Sequence, residues 1–94
     1  MSVDKPQLPI PAPVDSAGKA MEMARIWLAD SEQCVVLTPH LWKDPASWGL
    51  MLVDLARHVA SAYEAQGHDR DEVLNKIRAA FDAEWSHPTD DEDA

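Results

Sequence analysis

This 94-residue chain has one cysteine, three glycines and no long apolar run. Each scarcity removes a class of protein. A lone Cys34 excludes an internal disulfide framework and fits a reducing compartment. Three isolated glycines leave no glycine-rich loop to cradle phosphate, so nucleotide chemistry is not expected. No stretch nears the roughly 20 apolar residues of a membrane span, and no basic segment precedes an apolar one as in a secretion signal. Clustered Lys and Arg are missing as well. With eight bases against 17 acids and a formal charge of −9, nucleic acid and anionic membranes are poor partners. A soluble, cytoplasmic protein is the expectation.

An acidic surface that imitates nucleic acid would need carboxylates at phosphate-like intervals along one face. Solubility and a solvated tail explain the same charge more simply. Hydrophobic residues make up 46% of the chain, an ordinary globular proportion, and four of them are Trp.

The length suits one small domain flanked by two unlike ends. Residues 1–19 hold four of the seven prolines and read as a flexible Pro-rich arm without helix. An alternative for the arm is an edge strand. Leu8, Ile10, Ala12 and Val14 alternate with prolines, whose missing N–H is harmless at an edge. The "PQLP" of the arm matches P-x-x-P but lacks a basic flank. Residues 88–94 form an acidic tail closing on Asp90, Asp91, Glu92 and Asp93. Between these ends, residues 20–87 are expected to form the ordered domain.

"AMEMARIWLAD" alternates with apolar residues on both faces, and its β-branched and aromatic content favours a strand. "DSE" at 30–32 is a turn, and "QCVVLT" at 33–38 is a second strand stopped by Pro39. A two-residue Ser31–Glu32 loop would set Leu28 against Val35, Ile26 against Leu37 and Trp27 against Val36. One face is then aliphatic (Ile26, Leu28, Val35, Leu37). The other carries Met23, Trp27, Cys34 and Val36.

Asp44 reads as the N-cap of a helix with Pro45 as its first residue. Along "DPASWGLMLVDLARHVASAYE" the residues Met51, Ala62, Leu55, Trp48, Val59, Leu52, Tyr63 and Ala56 fall on one arc, an amphipathic stripe. Gly67 ends this helix. Asp69 and Glu72 have capping-box spacing at the start of a second helix, with Val73, Leu74, Ile77, Ala80, Phe81 and Trp85 as its apolar face and Pro88 as its stop. The expected fold is α+β in ββαα order: an antiparallel β-hairpin followed by two amphipathic helices packed on one sheet face. Trp48, Leu52, Leu55 and Val59 would meet the aliphatic strand face, with Ile77 and Phe81 closing the core. Gly49, near the same helix face, is either a point of close approach to the sheet or an incidental glycine.

No constellation here carries chemistry on its own. Asp54 and His58 are spaced i, i+4, so the carboxylate could orient the imidazole as a general base. No nucleophile or metal motif joins them, and such spacing commonly marks a helix-surface pair. Cys34 with His40 or His58 makes at most half a metal site, and a mid-strand cysteine is more often a small buried hydrophobe. His68, Asp69 and Asp71 are better explained by a helix entry than by metal ligation. No catalytic residue, cofactor site or metal site is therefore assigned. Asp54 and His58 remain candidates for the polar end of a Trp-lined pocket.

The segments "MEMARIWLAD" and, above all, "WGLMLVDLARHV" resemble a small proteobacterial family known as a domain of unknown function. The resemblance runs from about Ala20 to Trp85. It implies an α+β domain with a hairpin ahead of helices and carries over no catalytic or binding residue.

The leading functional expectation is a small non-enzymatic interaction or assembly module with an unidentified protein partner or a second copy of itself. A homodimer would form through the hairpin, with Met23, Trp27, Cys34 and Val36 as the candidate interface. The alternative is a small-molecule-binding or enzymatic domain built on the Trp-lined pocket with His58 and Asp54.

Overall fold

The computed structural model describes residues 6–89. The first five residues of the arm and most of the acidic tail lie outside the described residues. The chain divides between Leu41 and Trp42 into two compact units. A short helix α1 (Ala12–Asp15) is followed by β1 (Ala24–Ala29), β2 (Glu32–Leu37), α2 (Ala46–Glu64) and α3 (Arg70–Ser86). This is the expected ββαα, α+β order, with one addition.

The addition is α1, which corrects the reading of the arm as helix-free. Val14 and Asp15 N–H donate to Pro11 O, and Ser16 N–H donates to Ala12 O. Pro13 sits in the first turn, where the missing N–H has no helical partner to lose. The prolines forbid a helix interior but permit a single turn. The edge-strand alternative is also not realised: Leu8 and Ile10 lie in irregular, exposed backbone.

In the first unit β1 and β2 pair antiparallel around a two-residue loop. That loop is Asp30–Ser31, one residue earlier than expected. Both residues take positive φ (49° and 70°), the double left-handed geometry that matches the twist of a tight hairpin. The cross-strand partners shift accordingly. Ile26 faces Val35, Trp27 faces Cys34, Leu28 faces Gln33 and Arg25 faces Val36. Moving the loop by one residue changes the register by two, so every side chain keeps its expected face. Beyond the strands, Thr38 N–H donates to Met23 O at 3.0 Å and the Thr38 hydroxyl donates to Glu22 O.

In the second unit Asp44 caps α2 as expected, its Oδ1 accepting from Ala46 N–H at 3.0 Å. Pro45 already has helical angles (φ −60°, ψ −19°). The far end closes on Gly67, whose φ of 101° no side chain would favour. His68 N–H donates to Tyr63 O and Gly67 N–H to Glu64 O, the bond pair of a Schellman turn. The Tyr63 and His68 rings meet edge-to-face at 5.3 Å, the side-chain contact that accompanies this motif. Asp69 then starts α3 by accepting from Glu72 N–H at 3.1 Å.

α2 and α3 contact each other. Ala60 is the one fully buried residue among those described. It lies just past the Ala56 end of the stripe on α2. Two alanines one turn apart let a neighbouring helix come close. Val73, Leu74 and Ile77 of α3 are half-buried, and Arg70 Nε donates to Ser61 Oγ at 3.2 Å.

On α2, Leu52, Leu55 and Val59 are exposed. The aliphatic strand face is open too, from 46% exposure at Val35 to 78% at Leu28. Each unit closes its own hydrogen bonds locally, by the tight turn or the Schellman loop. At Gly49 an added Cβ would meet nothing within 4 Å, which removes the close-approach explanation for that glycine.

The two glycines should therefore respond oppositely to alanine. Gly67→Ala is expected to destabilise by about 1–2 kcal/mol, the cost of a left-handed L-residue. Gly49→Ala should stabilise by about 0.5–1 kcal/mol, because it removes a helix-interior glycine without a clash. Urea denaturation followed by circular dichroism measures both.

Candidate functional site

The register of the hairpin places the candidate interface residues. Trp27 and Cys34 are direct cross-strand partners, and Met23 and Val36 lie on the same face above them. Cys34 is exposed rather than buried, which corrects the reading of a small buried hydrophobe. Trp27 and Met23 are half-buried, and Val36 is 65% exposed. Met23, Arg25, Val36 and Thr38 line a groove at the open end of the hairpin. Arg25 is tied to Glu22 at 2.9 Å, and this ion pair is the charged feature of that groove.

The second candidate cluster is the Asp54–His58 pair on α2. Asp54 Oδ2 and His58 Nε2 are 3.4 Å apart, and the two side chains are 72% and 77% exposed. Water competes for every polar atom of such a pair, so the carboxylate has little hold on the imidazole orientation.

The tryptophans of the second unit do not form one lining. Trp42 and Trp48 pack edge-to-face with centroids 5.0 Å apart, while Trp85 stacks on Phe81 at 5.6 Å. Ile77, Ala80, Phe81 and Trp85 line a shallow apolar groove along α3. Among the described residues no three His, Cys, Asp or Glu side chains gather as metal ligands. Among the same residues no helix is long and apolar enough to cross a membrane.

Sequence reasoning placed the interface candidates on one face but missed two things. One was the direct Trp27–Cys34 pairing, since "DSE" allows the loop at either of two positions. The other was Ala60. Its signal was present in the Ala56–Ala60 spacing, but alanine adds little to an apolar stripe judged by large side chains.

A tight hairpin followed by a Schellman-linked helix pair defines a small α+β class. Residues 7–89 match the family described as "Domain of unknown function (DUF5076)", and the chain belongs to that family. Comparison with curated proteins finds no match. Among solved structures, the chain is similar to a protein from the photosynthetic bacterium Rhodopseudomonas palustrus CGA009 that carries the provisional name pyruvate dehydrogenase. The two are 35% identical over 94% of this chain and 91% of the other, with a TM-score of 0.72.

The Asp54–His58 pair is expected to be energetically minor. Asp54→Asn and His58→Ala should each change stability by less than about 0.5 kcal/mol, as exposed pairs and surface substitutions do. Chemical denaturation at neutral pH checks this, and a larger loss would mean the imidazole is held by more than Asp54.

Proposed function

We propose that this chain is a non-enzymatic interaction or assembly module that works through the surfaces of its hairpin, with a second copy of itself as partner. One observation carries the reading: both faces of the hairpin present large apolar side chains. Ile26, Leu28, Val35, Val36 and Leu37 are all exposed. A contiguous apolar surface of this kind marks association rather than the scatter normal for a monomer. A two-stranded ribbon alone is marginal in water, so association would also supply stability that the hairpin lacks.

The provisional name of the solved relative offers no residue through which an activity could be carried over. The reading rests on the surface instead. Met23, Trp27, Cys34 and Val36 are its candidate interface, and assembly can proceed through these faces or through the strand edges.

Sedimentation equilibrium at micromolar concentration tests the proposal. The native chain is expected at twice its 10.4 kDa mass. Val36→Asp, at a position already open to solvent, should shift it toward monomer by setting a carboxylate from each copy into the contact. A native monomer would refute self-assembly. Saturable binding of a metabolite, seen by ligand-observed NMR and abolished by His58→Ala, would favour a pocket instead.

A further inference from the structure

The hairpin has two edges, and they differ. The Thr38–Met23 bond and the turn-closing Ala29–Glu32 pair fix which residues are hydrogen-bonded inside the ribbon. Antiparallel pairing alternates, so Arg25 with Val36 and Trp27 with Cys34 exchange bonds internally. Ala24, Ile26 and Leu28 on β1, and Gln33, Val35 and Leu37 on β2, therefore turn their N–H and C=O groups outward.

β1 is guarded. Arg25 stands in the strand, ion-paired to Glu22, and Asp30 follows at the turn. Charged residues of this kind discourage edge pairing. β2 has its one charge at its first residue, Glu32, beside the turn; from Gln33 to Thr38 it contains neither charge nor proline, and Val35 and Val36 are β-branched.

We infer that β2 pairs antiparallel with β2 of a second copy of this chain, about a two-fold axis at Val35. The result is a four-stranded sheet in the order β1–β2–β2–β1. The inference rests on the self-assembly reading and specifies its contact. In this register Val35 opposes its own copy, Gln33 opposes Leu37, Cys34 opposes Val36 and Glu32 opposes Thr38. No like charges meet. The equivalent pairing of β1 with β1 about Ile26 sets Glu22 against Asp30, two acids.

An axis perpendicular to the sheet keeps like faces together. Ile26, Leu28, Val35 and Leu37 of both copies then form one continuous aliphatic face. The contact is isologous and closes after two copies, leaving the guarded β1 strands outermost.

Two proline substitutions in the full chain separate the edges. Val35→Pro and Ile26→Pro each remove one outward N–H that the hairpin does not use, so both should keep the circular dichroism of the native chain. By sedimentation equilibrium, Val35→Pro is expected to weaken the dimer at least tenfold, and Ile26→Pro to leave it unchanged. Disulfide mapping gives an independent readout. In a C34S background, V35C should cross-link two copies on mild oxidation. A hydrogen-bonded pair sets Cα atoms about 5.5 Å apart, within reach of a disulfide. C34S with I26C should not cross-link. A native dimer that is insensitive to both prolines, or that responds to Ile26→Pro, would overturn the β2 contact while leaving self-assembly standing. A native monomer would overturn both.

Discussion

The Asp30–Ser31 turn is the constraint on which the hairpin depends. Two consecutive left-handed residues supply the twist that a two-residue connection requires, and they fix the register of both strands. Register in turn decides which side chains share a face and which backbone groups point outward. Trp27 stands beside Cys34 for this reason, and Arg25 beside Val36. Neither residue of the turn is a glycine, so both hold a backbone region that L-residues disfavour. The strand pairing therefore has to offset a local cost at its own origin.

The two-helix unit follows a parallel logic with different chemistry. α2 ends where Gly67 lets the chain reverse, and the bonds from His68 and Gly67 close its last carbonyls. Asp69 starts the next helix two residues later. A connection this short forces α3 to run back along α2. Small side chains at Ala56 and Ala60 then make the contact close. Local capping thus chooses the helix pair, and packing only refines it.

An apolar stripe and an apolar sheet face are both left open by these local closures. The stripe on α2 is wider than the side that carries Ala60, and Leu52, Leu55 and Val59 remain exposed. A hairpin cannot cover its own faces, whatever side chains it carries, because it has one layer.

The sequence alone determined the elements and their faces. Caps at Asp44 and Asp69, the stop at Gly67 and the alternation of "ARIWLA" with "QCVVLT" are local signals. Each acts within a few residues, so each was legible. The family resemblance was legible for the same reason, in the run around "WGLMLVDLARHV". The tertiary structure decided what local signals leave degenerate. It chose Asp30–Ser31 over Ser31–Glu32, since both loops preserve the side-chain faces and differ in which residues pair across the strands. It placed a helical turn among the prolines at Ala12–Asp15, where each proline is tolerated only because the helix is one turn long. It left Cys34 exposed and buried Ala60 instead, because burial depends on which layer lies opposite, and a residue's own hydrophobicity does not specify that.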